Sequence, residues 1–214
     1  MKDIVIIGAG GVGKETSWII EQINNVNKKW NLLGIIDENK DIWNSKINGY
    51  KVLGGFEYLD KYKKSENKPY IIVAIANYAV KKRMVDKIKD EFEFATIIHP
   101  DVFIHESISI GQGCIIYPGV IMTANINIGN HVIISPKCGI GHDSIINDYA
   151  SLLWNVNVSG HDVIGEGVLI GSGATIIQGK KVGSGAIVGA GAVVINDVED
   201  ETTNVGVPAC VIKN

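Results

Sequence analysis

The feature that most constrains this chain is a six-residue period that starts at Val102 and runs without a slip to Asp197. Cut there, the sequence reads VFIHES, ISIGQG, CIIYPG, VIMTAN, INIGNH and onward through sixteen blocks to AVVIND. The third place of every block is Ile, Leu, Val or Met, as at Ile104, Ile116, Met122, Ile140, Leu152 and Val194. Such a pattern fits short strands wound into a triangular prism, with one aliphatic per face pointing inward and a small residue, repeatedly Gly, Ser or Asn, at the turn beside it. Three faces of six residues make a coil of 18, so neighbouring coils pair as parallel strands about 4.8 Å apart. Sixteen blocks give slightly more than five coils. The strand edges at the two ends must be covered by the preceding domain and by the tail.

Before Pro100 the pattern is different. Ile4 to Ile7 is a β-branched run ending in glycine, Thr16 to Ile23 repeats apolar residues at helical spacing, and Leu32 to Ile36 is a second strand ending at Asp37. Tyr70 to Ala76 reads as a third strand, Val80, Met84, Val85 and Ile88 mark one face of the helix after it, and Phe94 to Ile98 closes the set. Alternating strands and helices imply crossover connections and a parallel sheet. The segment from Asp41 to Gly55 reads as irregular. The expected organisation is therefore an α/β Rossmann-like domain over residues 1–100 and a left-handed parallel β-helix over residues 101–214.

Composition narrows the partners. A net charge of −3, with cations and anions interspersed, gives no basic stripe for nucleic acid. Cys114, Cys138 and Cys210 are widely spaced, which suits a reducing compartment better than a disulfide framework or a zinc site. The apolar run before Gly8 is too short for a signal peptide, and no stretch approaches the roughly 18 apolar residues of a membrane span. A cytoplasmic protein without membrane insertion is expected.

The repeats, taken with Ile-Ile-Gly-Ala-Gly-Gly-Val-Gly at 6–13, Gly-His-Asp at 141–143 and Val-Gly-Val-Pro-Ala at 205–209, resemble the hexapeptide-repeat acyltransferases. Within them the chain is similar to the bacterial sugar acetyltransferases that include sialic-acid O-acetyltransferases and the bacillosamine-pathway and perosamine N-acetyltransferases. The likeness covers essentially the whole chain. It implies a homotrimer with its active site at the subunit interface and acetyl-CoA as cosubstrate. The expected reaction is acetylation of the amine of a nucleotide-linked amino-deoxy sugar in surface-glycan synthesis. O-acetylation of sialic acid or a related sugar is the alternative.

Acetyl transfer from a thioester needs a base for the nucleophile's proton and a donor for the developing oxyanion. Of the five histidines, His142 stands at a turn and is followed by Asp143, a carboxylate able to orient the imidazole and stabilise its protonated form. One coil on is Gly160, whose N–H can meet a thioester carbonyl without a side chain in the way. In the resembling family the histidine of this motif is the general base, which assigns that role to His142. His161 falls one place later in its block and reads as lining the cleft at best, while His99 and His105 lie at the domain junction. No His-x-x-x-x-His pair exists, so no metal site is expected.

The resemblance further implies a second histidine nine residues after the base, contacting the acetyl group; here that position is Ser151. It places coenzyme contacts at Gly160, Ser172 and Ala190, with Lys180, Lys181 and Lys213 as candidates for the phosphate end. Cys210 stands where the family often has a base in its tail. Gly8-Ala9-Gly10-Gly11-Val12-Gly13, between a strand and a helix and followed by Asp37, suggests NAD when read alone. Any pyrophosphate can sit on such a loop, however, and acetyl transfer needs no hydride carrier. The resemblance gives this domain the sugar nucleotide, with contacts at Gly10, Gly11, Val12, Asp37 and Glu38. Val12 replaces a usual histidine and Ala76 a common glycine.

Overall fold

Ile4, Val5 and Ile6 are wholly buried, and they form the middle of a strand whose both faces are covered, as a parallel sheet requires. A computed structural model describes residues 1–212 and divides the chain into two compact units. The first is Met1–Ala76 with Val80–Pro100; the second is Asn77–Ala79 with the chain from Asp101 onward. Lys213 lies outside the described residues.

In the first unit the strands are β1 (Lys2–Ile7), β2 (Trp30–Ile36), β3 (Lys46–Ile47), β4 (Tyr50–Gly54) and β5 (Tyr70–Val73), in the spatial order β3-β4-β2-β1-β5. β1 pairs in parallel with β2 and β5, and β2 with β4. The helices are α1 (Gly11–Val26) and α2 (Tyr78–Asp86), the latter belonging to this unit from Val80 onward. α1 buries Ile19 and Ile20, one stripe of its apolar face. The stretch expected to be irregular holds a 3-10 turn at Lys40–Ile42 and the antiparallel pair β3 and β4. Its signal was Asn48-Gly49, both at positive φ (48° and 84°), as a two-residue hairpin turn demands.

The second unit is a left-handed β-helix of three parallel sheets. Partners stand one coil apart on every face: Asn127 with Ile145, Ile133 with Ser151, Gly139 with Asn157. The third-place aliphatics are buried from Ile116 through Val194, while Ile104 and Ile110, in the first coil, are half-buried. The first place of each block also points inward, since side chains two apart on a strand share a face. Cys114, Val132, Val156 and Ala174 fill it and are fully buried. Ser144 and Asp162 occupy the same register, so the prism has a polar column one residue beyond the turns that carry His142 and His161.

The sixth place of each block turns the chain, and from Gly113 to Gly191 it has positive φ, whether glycine or a larger residue. Asp143 and His161 both stand there, at 59° and 60°. A left-handed conformation costs an L residue about 1–2 kcal/mol, which the coil-to-coil hydrogen bonds must offset. At the far end Thr203–Val205 extends one sheet, and Cys210–Val211 pairs with it antiparallel, covering that edge.

Candidate active site

The coil of 18 puts His142, Gly160 and Gln178 in one column at a prism edge, and Asn125, Asp143, His161 and Gly179 in the column beside it. His142 Nδ1 is 2.7 Å from Asp143 Oδ2. The other carboxylate oxygen, Oδ1, accepts from Asn125 Nδ2 at 3.1 Å. The His142 hydrogen bond, and after it that of Asn125, holds the Asp143 carboxyl below the usual carboxylate range. It is therefore ionised wherever an imidazole titrates, and an Nδ1–H held by it leaves the Nε2 lone pair of His142 pointing elsewhere.

Gly160 is buried beneath the His142 ring. A Cβ at that position would come within 2.7 Å of Cε1 and 2.8 Å of Nε2, so glycine is what lets the ring lie there. Among the described residues nothing accepts the Gly160 N–H. His161 stands closer to the pair than its sequence position suggested. Its ring meets that of His142 edge-on, centroids 4.9 Å apart, and its Nε2 is 3.8 Å from Asp143 Oδ2.

Ser172 and Ala190 lie on a different edge of the same prism, one coil apart, with the Gly191 N–H donating to Ser172 O at 2.9 Å. Gly171 packs against the Ala190 backbone so closely that no Cβ could fit. The same column includes Trp154, one coil before Ser172 and half-exposed; the Gly173 N–H donates to its carbonyl. The available signal was arithmetic: 154 precedes 172 by one coil. Ser151 is on a third element, a sheet face, and is only 1% exposed. A single chain thus joins His142, Asp143 and Gly160, and keeps Ser151, Ser172 and Ala190 apart from them. Lys180 begins the next coil below this edge, its N–H donating to buried Asp162.

In the first unit the six-residue glycine motif divides by function. Gly8 has φ of 106°, and a Cβ on it would come within 2.8 Å of Ala74 O. A Cβ on Gly13 would overlap Gly8 O, so this glycine sets how closely α1 approaches β1. Gly10 and Gly11, by contrast, face open space within 4 Å of their would-be Cβ positions. Gly10 caps α1 without a side chain, so the first-turn N–H groups are available to an anion. Asp37 Oδ2 accepts the Ala9 N–H and Oδ1 the Asn39 N–H, each at 2.8 Å, fixing the carboxylate beside the loop. Glu38 is held by Arg83 (2.9 Å) and Lys87 (2.7 Å), and the Lys87 hydrogen bond lowers its pKa most. A cavity of about 150 Å³ is lined by Gly8, the acidic side chains of Asp37 and Glu38, and the apolar ones of Phe56, Ile75 and Met84.

A β-helix with a histidine–carboxylate pair over a glycine, joined to a glycine-loop α/β unit, defines an acyltransferase of the hexapeptide-repeat class. Residues 3–88 match the family described as PglD N-terminal domain. The chain is 34% identical over 176 residues to the GDP-perosamine N-acetyltransferase of Escherichia coli O157:H7, covering 81% of this chain and 77% of that one. It is 30% identical over 119 residues to the UDP-N-acetylbacillosamine N-acetyltransferase of Bacillus subtilis strain 168, covering 54% and 51%. The crystal structure of PerB from Caulobacter crescentus with CoA and GDP-perosamine superposes with a TM-score of 0.89 at 28% identity, covering 100% of this chain and 98% of that one. The chain belongs to the bacterial sugar N-acetyltransferase family, in the subgroup of the perosamine and bacillosamine enzymes.

Proposed function

We propose that this enzyme transfers acetyl from acetyl-CoA to the amine of a nucleoside-diphosphate amino-deoxy sugar, with His142 as general base. The observation that carries the reading is the 2.7 Å contact between His142 Nδ1 and Asp143 Oδ2, made at an exposed turn directly above Gly160. The relative crystallised with CoA and GDP-perosamine supports both ligand classes.

In this mechanism Nε2 of His142 takes a proton as the sugar amine attacks the thioester carbonyl, and Asp143 stabilises the resulting imidazolium. The Gly160 N–H bonds the oxyanion. Collapse of the tetrahedral intermediate breaks the C–S bond, and the imidazolium returns its proton to the coenzyme A thiolate. The products are an amide and free coenzyme A. The first unit, with boundaries near residues 1–100, holds the nucleotide: pyrophosphate at Gly10, Gly11 and Val12, and ribose or base against Asp37 and Glu38.

The separation of His142 and Gly160 from Ser172 and Ala190 supports a homotrimer. Threefold packing of prisms sets one chain's first edge against its neighbour's second, so the coenzyme touches both, with Trp154 beside it. Ser151, being buried, contributes to the wall of such a cleft rather than to an acetyl contact. No described helix is long and apolar enough to cross a membrane, and the reading places the enzyme in the cytoplasm.

The test is steady-state acetylation of GDP-perosamine and UDP-linked amino sugars, followed by coenzyme A release. His142→Ala should lower kcat by about 10²–10⁴-fold with the melting temperature unchanged. An unaltered rate removes the base assignment. A preference for hydroxyl acceptors over amines removes the N-acetylation reading.

A further inference from the structure

We propose that His142, Asp143 and His161 form a binding site for a divalent transition-metal ion of the zinc class, and that the bound ion takes His142 out of proton transfer. Binding follows from geometry alone; only the inhibition rests on the function proposed above.

One donor atom from each of the three side chains lies within 4.8 Å of the others. Asp143 Oδ2 is the shared corner, 2.7 Å from His142 Nδ1 and 3.8 Å from His161 Nε2. Zinc bonds of about 2.0–2.2 Å to nitrogen and oxygen span up to roughly 4 Å between ligands, so small ring rotations close the set. On a single chain all three side chains are substantially exposed, His142 at 51% and His161 at 54%, so an ion entering the cleft meets them without any opening of the fold. The backbone is nonetheless fixed: the Asp143 N–H donates to Ala124 O at 3.0 Å, and the His161 N–H to His142 O at 2.8 Å. A site on clamped turns loses little freedom when metal binds.

The donor set decides the class of ion. Two imidazoles and one carboxylate suit zinc, nickel or copper, whereas magnesium and calcium prefer oxygen ligands. Three protein ligands leave a fourth position for water. Histidine spacing did not reveal the set because its members come from successive coils: His161 follows His142 by one coil and one residue.

Inhibition follows from the location of one proton. In the metal-free pair, Nδ1–H of neutral His142 donates to Asp143, and Nε2 keeps the lone pair that accepts the substrate's proton. An ion on Nδ1 takes that hydrogen's place, and the ring's single proton moves to Nε2, the atom that must be bare. An ion on Nε2 covers the lone pair directly. Both modes stop the base, and both are undone by a chelator.

The experiment is calorimetric titration of the chelator-stripped, full-length protein with zinc chloride, and separately with magnesium chloride, at pH 7.5. The expected result is one zinc per chain with a dissociation constant in the micromolar range, and no heat from magnesium. His161→Asn, which tolerates the left-handed turn, should weaken zinc about tenfold or more. His161→Gln serves as a second variant, and each must match the parent's melting temperature and coenzyme A thermal shift. Zinc should lower the acetylation rate and EDTA restore it, with the inhibitory concentration raised about tenfold in the variants relative to their own metal-free rates. Absence of zinc heat, equal heat from magnesium, or an affinity unchanged in both variants overturns the site. Zinc binding at the parent affinity with no loss of rate overturns the inhibition. A His142→Ala enzyme that remains active removes the base assignment while leaving the calorimetric result to stand or fall by itself.

Discussion

The ring of His142 lies over Gly160, one coil further along, at a distance that leaves no room for even a methyl group. Gly160→Ala should therefore swing the imidazole away from Asp143 while the coil stays intact. The expected loss is about tenfold to a hundredfold in kcat, the scale that follows from misplacing a catalytic group by an ångström. Circular dichroism and kinetics together check this, and a normal kcat would show the ring position to be unimportant.

Asp143 holds the imidazole and is itself held by Asn125. Asp143→Asn keeps the shape but removes the charge and frees the tautomer. A fall in kcat of about a hundredfold or more, with little change in KM for acetyl-CoA, is expected. Asn125→Ala should cost less, because the His142 hydrogen bond is the larger restraint on the carboxylate.

Asp162 makes a pH prediction for stability. It is fully buried; Oδ1 accepts the Lys180 N–H, Oδ2 has no hydrogen-bond partner among the described residues, and burial pushes its pKa up to about 6. The folded state therefore binds its proton more tightly than the unfolded chain does. Stability from this group is complete below about pH 4, falls as pH rises to about 6, and is level above that, an upper limit of roughly 3 kcal/mol. Asp162→Asn, neutral throughout, removes that slope. The melting temperature of the variant relative to the parent should rise between pH 4 and pH 7, and a constant difference would refute the assignment.

Trp154 precedes Ser172 and Ala190 in their edge column. Trp154→Ala should raise KM for acetyl-CoA several-fold and leave KM for the sugar nucleotide unchanged. Mixing a His142→Ala chain with a chain disabled on the Trp154 edge should restore part of the activity if the two edges meet across subunits, and none if each chain works alone.

The glycine loop separates packing from binding. Gly13→Ala forces α1 away from Gly8 O and should lower the melting temperature markedly, whereas Gly10→Ala meets nothing within the fold. The latter should leave stability within about 0.5 kcal/mol of the parent while weakening the sugar nucleotide, as measured by calorimetry.

By itself the sequence determined the architecture, because a strict six-residue period admits few ways to bury one aliphatic per block, and the coil length then dictates which residues share a column. Gly160 under His142, Ser172 before Ala190 and Trp154 before Ser172 are all consequences of that arithmetic. The Asn48-Gly49 hairpin was also legible, from a turn that only residues tolerating positive φ can make. What tertiary structure alone decided is where side chains point. His161 turns onto Asp143 and His142, Ser151 lies buried on another face, and Asp162 goes inward below the equally buried Ser144. Periodicity fixes the position of a Cα along the prism, but the direction of each side chain depends on the φ of its turn and on the neighbours one coil above and below.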